Sequence, residues 1–136
     1  MQLRIGRPGF PIWSSLIAAL IFLSGVGHAA DTSSFSTAVS EAKRAGKTPA
    51  GNKYELALFP SIAQALADAV RTCAGNTKQP YKFDIVFIIS ADGHIRRTLY
   101  TPNQPIAACI AKKFQGKAVL RPPGDSWLVG AEFNNK

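Results

Sequence analysis

One stretch decides the fold of this chain: Tyr81-Lys-Phe-Asp-Ile-Val-Phe-Ile-Ile-Ser90. Its odd-numbered residues are all apolar, which is the period-two pattern of a β-strand with a buried face. The opposite face begins with Lys82 and Asp84 but becomes apolar at Val86 and Ile88. Because a central strand buries more of its surface than an edge strand, we predict that residues 81–90 lie at the centre of a sheet.

The residues after this strand predict how the sheet is completed. Ala91-Asp-Gly93 is a turn signal, and residues 94–100 return as a second strand. A helix then runs from Pro105 to Gly116, and residues 126–133 form a last strand. The helix carries the chain back, so the last strand should pair antiparallel with the first. We predict a three-stranded antiparallel sheet in the spatial order second-first-last.

The residues before the first strand predict two more helices. Apolar residues recur at helical spacing over residues 35–42, and Gly46 is a plausible C-cap before a loop over residues 47–53. A second helix is predicted to start at Ser61 and carries Cys73 on its apolar stripe. The expected fold class is α+β, with helices covering one face of the sheet and an extra N-terminal helix.

The first thirty residues have the order of a secretory signal peptide. Arg4 and Arg7 precede an apolar stretch over residues 16–23, and small residues lead to Ala29 and Ala30. We predict a signal peptide over residues 1–30, cleaved after one of these two alanines. An uncleaved membrane anchor is the alternative, although prolines and serines shorten the apolar run below the roughly 20 residues that a spanning helix needs.

Cysteine usage agrees with export. Cys73 and Cys109 are the only cysteines, and both follow the predicted signal peptide. An even cysteine count in an exported protein predicts a disulfide, whereas two buried free thiols are the alternative. The two residues lie on helical stripes that should both face the sheet, where they could meet.

The chain is basic, with 16 lysines and arginines against 8 acids and a formal net charge of +8. Such a charge favours anionic partners, such as lipid head groups, lipopolysaccharide or cell-wall polymers. The candidate basic face comprises Arg96, Arg97, Lys112, Lys113 and Lys117. A solvated surface without a ligand is the alternative for these residues. Nucleic acid is not expected as a partner, since aromatic side chains are not interleaved with these charges and the chain is predicted to be exported.

No catalytic constellation is visible in the sequence. The part after residue 30 has one histidine, His94, next to a predicted turn, and no metal-binding, nucleophile-elbow or phosphate-binding motif. We therefore expect no catalytic residues, no metal and no cofactor, and we do not expect an enzyme.

Several segments together resemble the TonB/TolA C-terminal domain superfamily. They are the helix with Cys73, the strand and turn over residues 83–95, Pro105-Ile-Ala-Ala-Cys109, Arg121-Pro-Pro-Gly124 and the last strand. The branch with one cysteine in each flanking helix is the most similar, and the resemblance covers roughly residues 61–133. It divides the chain into a signal peptide over residues 1–30, a helix and loop over 31–57, and the domain over 58–136.

The resemblance implies a periplasmic module that binds a segment of an envelope protein by edge-strand addition. The long spacer and uncleaved anchor of TonB and TolA proteins are missing from this pattern, so an energy-transducing role is not implied. The edge strand is the last one, and the expected partner-binding residues are Ser126, Trp127, Leu128, Val129 and Gly130. The alternative function is a secreted basic domain that binds an anionic envelope component. After cleavage, membrane association would be peripheral at most.

Overall fold

The fold is described by a computed structural model for residues 28–29 and 32–135. Most of the predicted signal peptide therefore lies outside the described residues. In chain order the elements are β1 (His28–Ala29), α1 (Thr32–Gly46), α2 (Pro49–Ala74), β2 (Lys82–Ser90), β3 (Ile95–Thr101), α3 (Pro105–Phe114) and β4 (Ser126–Asn134).

The sheet has the order β1-β3-β2-β4, and β2 pairs antiparallel with both β3 and β4. This confirms the predicted three-stranded antiparallel sheet with its first strand at the centre. The short strand β1 was not predicted. It adds parallel to β3, with His28 opposite Leu99 and Ala29 opposite Tyr100. Two residues are too few to show a strand periodicity in the sequence.

One face of the sheet carries the main hydrophobic core. The odd-numbered residues of β2, including Phe83, Ile85 and Phe87, are at most 1% exposed and pack against α2 and α3. Phe87 and Phe114 form one of the ring contacts across this interface, with centroids 5.2 Å apart. Burial of large side chains stabilises a fold by about 1.5–3 kcal/mol each, so this layer supplies most of the stability.

The opposite face of the sheet is covered by α1. Phe35 and Ala38 of this helix pack against Val86 of β2 and Leu99 of β3, and Ile88 lies at the margin of the same cluster. The predicted helices α2 and α3 cover one face as expected, and the N-terminal helix covers the other. This arrangement explains why both faces of β2 are apolar from Ile85 to Ile89.

The largest difference from the predicted elements concerns α2, which begins at Pro49 and not at Ser61. The predicted loop over residues 47–53 contains the actual helix start, because the hydroxyl oxygen of Thr48 accepts a hydrogen bond from the Gly51 N–H at 3.0 Å. Pro49 is then at the first helical position, where its missing N–H costs nothing.

Pro60 directly precedes the predicted helix start at Ser61, but in the structure it lies inside α2. A proline in a helix leaves the carbonyl four residues earlier without its donor. Pro60 and Leu56 are both exposed, so this carbonyl lies on the solvent side of the helix. The buried stripe of Tyr54, Leu58 and Ile62 continues across the proline, and its burial outweighs the local cost.

A disulfide joins α2 to α3, which confirms the predicted Cys73–Cys109 pair. The Cα atoms are 5.7 Å apart, and no free cysteine remains in the described part of the chain. Cys73 packs at the margin of the main core, and both cysteines are half-buried. The bridge closes a loop around the whole β2–β3 hairpin.

Candidate functional site

The strand β4 forms an open edge of the sheet. It pairs with β2 along residues 126–134, and within the described residues no strand lies on its other side. At the opposite edge, β1 pairs with only two residues of β3, Leu99 and Tyr100, and β1 itself belongs to the segment that the predicted signal-peptide cleavage removes. An edge strand presents unpaired N–H and C=O groups that can accept another strand.

The hydrogen-bond pattern identifies which groups point outward. The Asn135 N–H donates to the Tyr81 carbonyl at 3.3 Å, which continues the pairing of β4 with β2. In an antiparallel pair, every second residue turns both backbone groups toward its partner. The odd-numbered residues of β4 therefore bond to β2. Leu128, Gly130 and Glu132 direct their N–H and C=O groups away from the sheet.

The five predicted partner-binding residues differ in what they present at this edge. Ser126 and Gly130 are exposed, Trp127 and Leu128 are half-buried, and Val129 is buried. Trp127 packs on the main core and Leu128 on the α1 cluster. These side chains stabilise the sheet, so a partner would meet mainly backbone groups along this strand.

The corner between α1 and α2 passes close to the start of β4. A Cβ atom on Gly51 would lie 2.7 Å from Trp127 Cζ2 and 2.0 Å from the Ala45 carbonyl oxygen, so only glycine fits there. The Tyr54 ring meets Trp127 edge to face, with centroids 5.8 Å apart. The corner thereby holds the beginning of β4 against both helices.

Beyond this corner the edge opens into a groove of about 330 Å³. One wall is formed by Val39, Ala42 and Lys43 of α1, and Glu55 of α2 contributes a further side. The floor consists of β2 and of β4 around Gly130. A Cβ atom built on Gly130 would find its nearest neighbour, the Ile85 carbonyl oxygen, only at 4.0 Å. The missing side chain therefore leaves open space at the free edge.

The groove is acidic although the chain as a whole is basic. Three of the eight acidic residues line it: Glu55, Asp84 and Glu132. Asp84 and Glu132 stand directly opposite each other on adjacent strands, where like charges are destabilising. Lys82 Nζ lies 3.5 Å from Glu132 Oε1, whereas Glu55 and Asp84 have no ion pair in the described part of the chain.

Burial raises the pKa of Glu55, and the Trp127 indole N–H partly offsets this shift. A cation close to such a carboxylate would stabilise its ionised form. The groove has no local signature in the sequence, because its residues are far apart in the chain. In addition, Glu55 was expected between a loop and a later helix start.

The candidate basic residues do not form a single face. Arg97 is opposite Ile88 and lies on the α1 side of the sheet, whereas Lys112 and Lys113 are exposed on α3 at the other side. Arg96 forms an ion pair with Asp92 in the hairpin turn. Lys117 places its ammonium group 5.7 Å from the centroid of the Phe114 ring. The structure therefore brings together only the three lysines on the α3 side, where Lys113 and Lys117 line the same surface depression.

The β2–β3 turn holds a polar cluster around Asp92. Hydrogen bonding from the Ser90 hydroxyl, assisted by the charge of Arg96, lowers the pKa of Asp92 to about 2. His94 Nδ1 lies 3.3 Å from Asp92 Oδ2. The serine hydroxyl donates to the Asp92 carboxylate, and its oxygen lies 3.1 Å from the His94 carbonyl oxygen, while it makes no hydrogen bond to the imidazole. This arrangement fixes the turn and does not activate a nucleophile.

Residues 28–29 and 32–135 show neither a metal-binding cluster nor a membrane-spanning helix. In this part of the chain, no group of three or more histidine, cysteine or acidic side chains is placed to hold a metal ion. No helix there combines the length and the apolar character needed to cross a bilayer. The candidate site is therefore the free edge of β4 with its acidic groove, which we call the edge groove.

The edge groove is the feature of the structure from which a function can be proposed. The resemblance to TonB and TolA domains stays a prediction. No protein-family model, no curated protein sequence and no solved structure matches this chain.

Proposed function

We propose that the protein is an interaction module of the bacterial periplasm that binds an extended segment of an envelope protein as an additional strand on β4. The observation that carries this proposal is the row of outward-facing backbone groups at Leu128, Gly130 and Glu132 beside an open groove. Strand addition uses such groups for affinity and adjacent pockets for specificity.

Backbone hydrogen bonds along β4 would by themselves give the partner strand a moderate affinity. Each outward residue offers one donor and one acceptor, and a backbone hydrogen bond contributes about 0.5–1.5 kcal/mol net. Ordering the partner segment opposes part of this gain. Additional affinity has to come from side chains that enter the edge groove.

The proposed location rests on two features. The predicted signal peptide directs the chain to export, and the Cys73–Cys109 disulfide is of a kind that persists in oxidising compartments. After removal of residues 1–30, the module would be released into the periplasm. Since no described helix is suited to cross a bilayer, it would bind the membrane at most peripherally. In this proposal the protein acts by binding and not by catalysis.

A second candidate function is binding of an anionic envelope component through α3. Lys112 and Lys113 are exposed near the end of this helix and form no ion pair with any described residue. Binding of phosphate or sulfate groups by such lysines should weaken steeply as salt increases, because exposed charges are screened.

Variants at Gly130 test the proposal. Gly130→Pro removes an outward N–H without deleting a side chain, whereas the control Gly130→Ala keeps that donor and places its Cβ in open space. Each variant is immobilised and exposed to periplasmic extract at low and at high salt. We expect the wild type and Gly130→Ala to retain the same envelope proteins at both salt concentrations, and Gly130→Pro to lose them.

Val129→Pro provides the comparison for folding. Its N–H points to β2, so this proline should disrupt the sheet, while Gly130→Pro should keep the wild-type circular dichroism spectrum. A folded Gly130→Pro variant that retains the wild-type set of proteins would overturn edge-strand addition. Retention that disappears at high salt and depends on Lys112 and Lys113 would favour the second candidate function.

A further inference from the structure

The edge groove has the chemistry to select one type of side chain in the added strand. We infer that the partner segment carries a lysine or arginine opposite Gly130. This inference rests on the proposed strand addition and specifies the partner that the site takes. It is drawn from the direction of the pleat, the shape of the groove and the placement of its charges.

The pleat fixes where the partner side chain points. Residues that stand directly opposite each other on adjacent strands project to the same face of a sheet. Gly130 is opposite Val86, whose side chain lies on the α1 side. A partner residue opposite Gly130 therefore projects toward α1, into the space that the glycine leaves open.

The walls of this space fit a long side chain with a charged end. Val39 and Ala42 of α1 supply apolar surface, and the carboxylates of Asp84 and Glu132 lie on the same face of the sheet one pleat further along. Lysine and arginine have an apolar stem and a cationic head that match such a surface. A purely apolar side chain would leave Asp84 without an ion pair.

In the free protein, the negative charges of the edge groove are only partly neutralised by cations. Asp84 is half-buried, faces Glu132 across the strand pair and has no ion pair among the described residues. Lys43 of α1 lines the groove but is not within ion-pair distance of any described carboxylate, and Lys82 reaches only Glu132. A cation between Asp84 and Glu132 would relieve their repulsion. Glu55, on the α2 side, adds a third negative charge to the groove.

The probes are capped peptides of about nine residues, alternating threonine and valine, with one variable central position. Lysine, arginine, norleucine and glutamate are compared at that position, and norleucine keeps an alkyl stem without a charge. Dissociation constants are measured by fluorescence anisotropy at low salt. We expect the lysine and arginine peptides to bind about fivefold or more tightly than the norleucine peptide, and the glutamate peptide to bind most weakly.

Two protein variants distinguish the contribution of the carboxylates in the edge groove from the contribution of its open space. The double variant Asp84→Asn/Glu132→Gln should lose most of the preference for the lysine peptide over the norleucine peptide, with only Glu55 left as a negative charge in the groove. Its melting temperature should be equal to or higher than that of the wild type, because the repulsion between Asp84 and Glu132 is gone. Gly130→Leu starts from a Cβ position with open space and directs a bulky side chain into the groove, so it should weaken all peptides with the fold unchanged in circular dichroism. Gly130→Ala is the matched control.

The outcomes distinguish this inference from the function on which it rests. Equal binding of the lysine and norleucine peptides to the wild type, with both lost in Gly130→Pro, would overturn the charge selection and leave strand addition standing. Unchanged binding in Gly130→Leu would overturn the groove as the recognition site. Failure of every peptide to bind the wild type would contradict the proposed function and this inference together.

Discussion

Removal of the Cys73–Cys109 bridge should cost the fold a large share of its stability. The bridge joins α2 to α3 around the β2–β3 hairpin, with a sequence separation of 36. In the chain-entropy treatment, a loop of this length restricts the unfolded chain enough to stabilise the fold by about 4 kcal/mol. Domains of this size have a total stability of about 5–15 kcal/mol.

The double variant Cys73→Ala/Cys109→Ala tests this expectation. Urea denaturation followed by far-UV circular dichroism should show a free energy of unfolding lower by about 2–5 kcal/mol. The wild type in excess reductant is the control, and it should unfold at nearly the same urea concentration as the variant. A loss below about 1 kcal/mol, or a reduced wild type as stable as the oxidised one, would refute the structural role of the bridge.

Three further predictions concern polar groups away from the edge. The Thr98 hydroxyl is fully buried without a described partner, so Thr98→Val should stabilise by about 1 kcal/mol, and a lower melting temperature would contradict this. The lowered pKa of Asp92 contributes stability that is present above pH 4 and lost as the pH falls to about 2. Asp92→Asn should therefore lose less free energy of unfolding than the wild type between pH 4 and pH 2. Burial, assisted by the charge of Glu55, raises the pKa of Tyr54 to about 12. The stability that its neutral phenol contributes is therefore lost as the pH rises from about 10 to 12, and phenolate absorbance should show a late ionisation step in the same range. Tyr54→Phe should remove that late step.

The central part of the fold follows from local sequence patterns. Alternation over residues 81–90, the turn at Ala91-Asp-Gly93 and the apolar stripe of α3 were sufficient to predict the order of three strands. The doubly apolar end of β2 also indicated a central strand. These signals work because each depends on residues that are close in sequence and buried on one face.

The parts that local patterns did not predict depend on tertiary contacts. Pro49, Gly51 and Asn52 are typical of loops, yet in the structure they form the first turn of a capped helix that packs on Trp127. The position of α1 on the second face could not be derived from its own amphipathic pattern. The edge groove combines α1, α2, β2 and β4, and its acidic character becomes visible only when these elements meet.

The central claim is that alternate residues of β4 present free backbone groups to a partner strand. Amide hydrogen exchange measured by NMR tests it residue by residue, in the free protein and with the lysine-containing peptide bound. We predict that Trp127, Val129 and Ala131 are protected in both states, because their N–H groups bond to β2. Gly130 and Glu132 should exchange rapidly in the free protein and become protected in the complex. Protection of Gly130 and Glu132 in the free protein, or no change on peptide binding, would contradict the account.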